Sequence, residues 1–123
     1  MMNTLDPVST IMTTNLVTVN AKDKLLEVKN IFDTHKIHHI PIVDFRKIIG
    51  IISKTDFLSF LKGVSGDSYE NFLDEVRLKN YHAEDIMTTG LAKLNSTDRI
   101  AVALEVFKEN LFHAIPIVDN EEL

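Results

Sequence analysis

The chain has 123 residues, 45% of them apolar and 25% charged, which is enough to bury the core of one ordinary domain. It contains no cysteine, which excludes disulfides, thiolate metal sites and a thiol nucleophile and favours a cytoplasmic location. The net charge is -5 and there is no run of Lys or Arg, so a nucleic-acid surface is not expected. No apolar stretch is long enough to span a bilayer, so no membrane association is expected either.

An internal duplication organises the sequence. The pentapeptide "IPIVD" occurs at 40–44 and again at 115–119, and aligning 11–48 with 86–123 at an offset of 75 gives 14 identities in 38 positions. Chance at ordinary residue frequencies would give about two or three. The duplication predicts two copies of one folding unit, related by a pseudo-twofold axis. Because each half alone would be marginal, we expect the halves to share a core.

The first copy begins with "LVTV" at 16–19, an apolar alternation that predicts a short strand. "NAKD" follows at 20–23, and its Asn with an Asp three residues later predicts the start of a helix. "IPIVD" then predicts a strand whose proline lies at its beginning or at a sheet edge. The apolar face of the helix between them is predicted to contain Leu25, Val28, Ile31 and Phe32.

A turn of two to three residues at "FRK" separates this strand from "IIGIIS", which predicts a second, antiparallel strand. "KTDFLSFLK" then predicts a helix that carries Phe57, Leu58 and Leu61. The unit is therefore β-α-β-β-α.

Between the copies, a loop rich in glycine and serine precedes an amphipathic helix. The helix is either a spacer packed on the outside of the molecule or a lid or dimer contact. Its apolar residues at helical spacing are Tyr69, Phe72, Leu73 and Val76.

The second copy repeats the pattern with "LAKL", "NSTD", a helix and "IPIVD". It ends at Leu123, which aligns with Ile48, so a counterpart of residues 49–62 is absent. We expect either that the chain represents a longer protein incompletely or that a neighbouring chain fills the gap by domain swapping. The apolar face predicted for its helix consists of Ile100, Ala103, Leu104 and Phe107.

Two such units in tandem, with "DIMT" at 85–88, "IPIVD" twice and "GIISKTD" at 50–56, resemble a CBS-domain pair, or Bateman module, over residues 8–123. The resemblance implies an α/β (α+β) fold of two units with pseudo-twofold symmetry, the second truncated, at 1–62 and 83–123 with a linker at 63–82. It also implies clefts that bind AMP, ADP, ATP or S-adenosylmethionine. Such pairs regulate a partner protein and are not enzymes.

The motif "GIISKTD" has chemistry suited to a nucleotide. Ser53 and Thr55 lie where a strand meets a helix, so their hydroxyls and the first amide groups of the helix predict an anion site. Asp56, in the first turn, can accept hydrogen bonds from ribose hydroxyls. Gly50 removes a side chain where the strand passes the cleft. The alternative is that Ser53 and Asp56 only cap the helix.

The resemblance adds candidates for the adenine edge, for the apolar wall of the base pocket and for the neighbourhood of the phosphate. A neutral or partly charged histidine would attract phosphate only modestly. In that order the candidates are Leu16, Val17 and Thr18; Ile40 and Pro41; and His38 and His39.

Other functions are less well supported by the residues. The histidines have no recognised metal-ligand spacing, and we expect them to be solvated or at edges. No Ser/His/Asp order or carboxylate pair predicts an enzyme, whereas a structural dimerisation module with an empty cleft stays open as the alternative. A homodimer is predicted because aromatic and apolar residues are expected on the outer helix faces. These residues are Phe57, Phe60, Leu61, Phe107 and Phe112.

Overall fold

A computed structural model describes residues 3–62, 76–110, 114–120 and 122–123. The first copy forms β1 (Val19–Asn20), α1 (Leu25–Thr34), β2 (His39–Asp44), β3 (Lys47–Ser53) and α2 (Lys54–Lys62). Its sheet has the order β1-β2-β3, with β1 parallel and β3 antiparallel to β2. This is the predicted β-α-β-β-α unit.

The second copy repeats the β-α-β part of this order. Residues 76–80 are helical, and they precede α3 (Ala83–Ile86), β4 (Leu94–Asn95), α4 (Ile100–Asn110) and β5 (Ile117–Val118). β4 is parallel to β5, as β1 is to β2. The tandem α+β fold predicted from the sequence is therefore confirmed. Most of the linker, including Tyr69, Phe72 and Leu73, lies outside the described residues.

The first strand of each copy is shorter than predicted and begins later. The sequence predicts strands at 16–19 and 91–94, whereas β1 and β4 begin at Val19 and Leu94. β1 pairs only with Ile42 and Val43, so the residues before Val19 have no strand beside them. Residues 16 and 17 instead line a cleft between the two units.

The helices α1 and α4 also begin later than predicted. The backbone N–H of Asn20 donates to Asp23 Oδ2 at 2.9 Å, and that of Asn95 donates to Asp98 Oδ2 at 2.8 Å. The repeated Asn-x-x-Asp pattern thus closes a turn between the strand and the helix. Both helices begin only after this turn, at Leu25 and Ile100. An asparagine followed three residues later by an aspartate is compatible with a helix start and also with this turn. The pattern alone therefore could not distinguish a helix that begins at the asparagine from a turn that precedes the helix.

The two units interlock through their leading segments. Val8 N–H donates to the carbonyl of Asp98 at 2.7 Å, and Ala83 N–H, at the equivalent position of the repeat, donates to Asp23 at 2.8 Å. Val8 is buried with Leu94 and Ile100 of the second unit, whereas Ala83 is buried in the core of the first. The expected common core is therefore replaced by two clusters, one in each unit, and each cluster includes a residue from the leading segment of the other copy.

Proline and the hairpin turn occupy positions that suit them. Pro41 lies one residue before the pairing of β2 with β1 begins, so its missing N–H breaks no hydrogen bond on that side. Phe45 and Arg46 connect β2 to β3 with φ angles of 49° and 76°. A two-residue hairpin turn with both residues in the left-handed region matches the twist of the strands it joins.

The prediction of exposed aromatic residues was wrong for Phe57. This side chain is 3% exposed and its ring centroid lies 5.6 Å from that of Phe32, because the inner face of α2 packs towards α1. Phe60 is partly buried beside Tyr81 and Arg77. Phe57 and Phe60 therefore do not support a homodimer, which stays a prediction, and Phe112 lies outside the described residues. None of the helices in the described part of the chain is long and apolar enough to cross a membrane.

A candidate ligand cleft between the repeats

A cleft of about 620 Å³ lies between the two units. Its volume falls within the range of about 300 to 1,000 Å³ that is usual for small-molecule sites. The lining comes from the segment before β1, from the strands of the first unit, and from α4 and the β5 region of the second. The lining residues are mostly apolar, and their polar members are Thr13, Thr14, Asn15, His38 and His39.

Five of the residues predicted for the site line this cleft. They are Leu16, Val17, His38, His39 and Pro41. Leu16 and Val17 belong to the part of the predicted strand that does not form, so their side chains reach the cleft from irregular backbone. The first unit thus contributes one wall, and Phe107 and Pro116 belong to the wall of the second unit.

The register of β2 and β3 explains which residues face the cleft. Pro41 pairs with Ile51 and both line it, whereas Ile40 pairs with Ile52 and both are fully buried. Successive side chains of a strand point to opposite faces. Ile40 therefore belongs to the core, and the predicted apolar wall consists of Pro41. Ser53, two residues after Ile51, lies on the same face of β3 but is not among the residues that line the cleft.

Gly50 and Thr18 do not line the cleft. Gly50 is buried, and a Cβ added to it would lie 2.5 Å from Sδ of Met87. The missing side chain makes room for Met87 of the second unit, which differs from the prediction that it opens space for a ligand. Thr18 is exposed beside the cleft segment.

The first turn of α2 adjoins the cleft at His38. Lys54 N–H donates to the carbonyl of His38 at 2.7 Å, and Asp56 N–H donates to Ser53 Oγ at 3.0 Å. Ser53 therefore caps the helix, in agreement with the alternative interpretation of the motif. Thr55 and Asp56 are exposed at this junction and are not among the residues that line the cleft, and their roles in binding stay predictions.

Segment 11–15 was not predicted to belong to the site, yet it supplies three polar side chains to the lining. A signal was present, because "IMTT" at 11–14 recurs at 86–89 and is the longest identity outside "IPIVD". The second occurrence has a structural role, since Thr88 and Ile51 exchange backbone hydrogen bonds of 3.0 and 2.8 Å at the edge of β3.

No group of three or more His, Asp or Glu that could hold a metal ion occurs among the described residues. His82 has a local role at the start of α3, where its N–H donates to Asp85 Oδ2 at 2.7 Å.

Two interlocked β-α-β units around a common cleft define a tandem-repeat module. A CBS domain model matches residues 8–63 and 83–123, and the chain belongs to the CBS-domain family. No curated protein sequence matches the chain.

Solved structures share the fold at low sequence identity. The CBS domain of a CBS domain containing membrane protein from Sphaerobacter thermophilus has a TM-score of 0.81 at 21% identity, over 97% of this chain and 80% of that one. CBSX2 in complex with AMP has a TM-score of 0.76 at 22% identity, over 94% and 85%. The CBS domain pair of protein MJ0100, in complex with 5′-methylthioadenosine and S-adenosyl-L-methionine, has a TM-score of 0.75 at 21% identity, over 95% and 87%.

Proposed function

We propose that this chain is a regulatory module that binds an adenosine-containing ligand in the cleft between its units and catalyses no reaction. The observation that carries the proposal is a largely apolar cleft of about 620 Å³ lined by both repeats. Two proteins of the same fold support the choice of ligand, since one forms a complex with AMP and the other with 5′-methylthioadenosine and S-adenosyl-L-methionine.

Each group of candidate residues has a role in this proposal. The backbone of 16–18 contacts the adenine edge, and Pro41 packs against the face of the base. Asp56 accepts hydrogen bonds from the ribose, because it is an exposed carboxylate in the first turn of the helix that adjoins the cleft at His38. Thr55 and Ser53 contact the ribose or phosphate beside it.

A ligand in this position would connect the two units directly. It would contact Pro41 in the first unit and Pro116 in the second, which are equivalent positions of the repeat. A ligand shifts the equilibrium between two arrangements only by its difference in affinity for them. Because the cleft walls belong to different units, a change in their relative position alters the contacts of the ligand. A regulated partner protein would respond to the relative position of the two units.

The test is the melting temperature of the wild type and of Asp56→Ala with adenine nucleotides, adenosine and S-adenosylmethionine. A ligand at a hundred times its Kd adds about 2.7 kcal/mol to the free energy of unfolding, or very roughly 10 °C for a domain of this size. We expect this shift in the wild type with at least one adenosine ligand and little or none in Asp56→Ala.

Asp44→Ala is the matched control. Asp44 is an exposed carboxylate at the other end of β2, roughly 16 Å along the strand from His39. It should keep the full shift. Equal shifts in the wild type and Asp56→Ala would remove the ribose role from Asp56, and no shift with any adenosine ligand would favour a structural dimerisation module.

A further inference from the structure

The cleft has an unusual set of charges for a nucleotide site. None of the described residues that line it is Lys, Arg, Asp or Glu. Its ionisable side chains are those of His38 and His39. Phosphate groups in proteins are generally bound by Arg, Lys or free helix N–H groups. The described lining therefore offers no fixed cation to a phosphate chain.

The start of α2 offers few free N–H groups to a phosphate in place of a cation. Of its first three residues, Lys54 donates its N–H to the carbonyl of His38 and Asp56 donates its N–H to Ser53 Oγ. Most of the amide donors that the sequence assigned to an anion are therefore engaged within the protein. The helix terminus can offer a phosphate the Thr55 N–H and the hydroxyl of the same residue.

The charged residues next to this end of the cleft in the sequence have only a small positive balance. Lys36 precedes the lining residue Ile37, and Lys54 and Asp56 lie in the first turn of α2. Two positive charges and one negative charge leave a net charge of +1 among these three residues. This can neutralise part of one phosphate group. The further phosphates of ADP or ATP would lose water without gaining a partner, which is unfavourable in an apolar cleft.

We infer that the cleft selects adenosine ligands whose 5′ end carries at most one phosphate, such as adenosine, a 5′-thioether of adenosine or AMP, and discriminates against ADP and ATP. The inference rests on the proposed function, because it specifies the class of ligand for the same site. The residues that set the selectivity are those at the phosphate end of the cleft, chiefly His38 and His39.

The test is isothermal titration calorimetry with adenosine, AMP and ATP at constant ionic strength and without divalent cations. We expect adenosine or AMP to bind at least about tenfold more tightly than ATP, a difference of about 1.4 kcal/mol. ATP binding as tightly as AMP, or more tightly, would overturn the inference while leaving the proposed function intact. Failure of all three to bind, together with no melting shift from S-adenosylmethionine, would overturn the proposed function, and the inference with it.

A variant adds the missing charge. His38 is exposed and lines the cleft, so His38→Lys should fold normally. The ratio of its affinity for ATP to its affinity for adenosine should rise at least about tenfold, because only ATP gains a charge partner. An equal change for both ligands would contradict the charge argument. His35→Lys, an exposed position that is not part of the lining, is the control and should change neither.

Discussion

Lys47 and Glu122 lie opposite each other in an isolated antiparallel bridge between the two units. They are the same position of the repeat, since 47 plus the offset of 75 is 122. Equivalent residues can face each other in an antiparallel pair only where a twofold axis passes between them. The adjacent hydrogen bond from Leu123 N–H to the carbonyl of Arg46, at 3.0 Å, belongs to the same contact. This bridge therefore marks the pseudo-twofold axis of the module.

Opposite charges at this axis should contribute to the pairing of the units. We expect Lys47→Glu to lower the free energy of unfolding by about 0.5 to 1 kcal/mol, because like charges directly opposite each other destabilise a pair of strands. The double exchange Lys47→Glu with Glu122→Lys should recover most of that loss. Urea unfolding at low salt measures it, and an unrecovered loss in the double variant would show that the charges do not interact.

The exchanged leading segments predict that neither unit is stable without the other. Val8 is 3% exposed in the second core, so Val8→Asp would bury an unpaired charge and should lower the free energy of unfolding by at least about 3 kcal/mol. Leu5→Asp, at a position 63% exposed in the same segment, should have little effect. The measurement is urea unfolding followed by circular dichroism.

Amide hydrogen exchange shows whether Val8→Asp in the leading segment also destabilises the second unit. With Val8→Asp, amide exchange should accelerate at Ile100 as well as in the leading segment, because Ile100 N–H donates to the carbonyl of Asp6 at 2.9 Å. Acceleration confined to the leading segment would contradict the interlocked arrangement.

Local patterns predicted the fold well because each unit repeats the same short-range signals. The period of the apolar residues gave α1 and α4, and "IPIVD" gave β2. What the sequence could not supply were contacts between segments distant in the chain. Phe57 and Leu58 are adjacent apolar residues of α2, yet Phe57 is 3% exposed and Leu58 is 44% exposed. The sequence of the helix does not show which of its faces packs towards α1, because that depends on the fold.

The site was predicted only in part, because it too depends on contacts between segments that are distant in the chain. Leu16 and Val17 were identified by the resemblance, although the strand expected there does not form. The resemblance assigned Ile40 and Pro41 together to the apolar wall, but a shift of one residue along a strand moves a side chain to the opposite face. The described lining contains no Lys, Arg, Asp or Glu, and this depends on which residues of both units meet at the cleft. No single sequence motif could reveal it.

The two copies of "IPIVD" end in aspartates with different roles. Asp119 accepts hydrogen bonds from Ser96 Oγ at 2.9 and 2.8 Å and from Ser96 N–H at 3.2 Å. In the first unit the position equivalent to Ser96 is Ala21, and the position equivalent to Asp119 is Asp44. We expect Asp119→Ala to lower the free energy of unfolding by about 1 kcal/mol and Asp44→Ala to change it by less than about 0.5 kcal/mol.

A mutant cycle tests this difference. Ser96→Ala should cost about as much as Asp119→Ala, and the double variant should cost little more than either, because both changes remove the same hydrogen bonds. Additive effects in urea unfolding would mean that the two residues stabilise the protein independently.

Gly50 and Met87 should show the strongest coupling between the units. A Cβ at position 50 would lie 2.5, 2.8 and 3.0 Å from Sδ, Cγ and Cβ of Met87, which is closer than van der Waals contact allows. Gly50→Ala should therefore lower the free energy of unfolding by about 1 to 3 kcal/mol, as overpacking usually does. In a Met87→Ala background the same substitution should cost far less, since most of the clashing atoms are gone. The two costs are compared by urea unfolding of the four proteins. Equal costs in both backgrounds would show that Met87 is not what excludes a side chain at position 50.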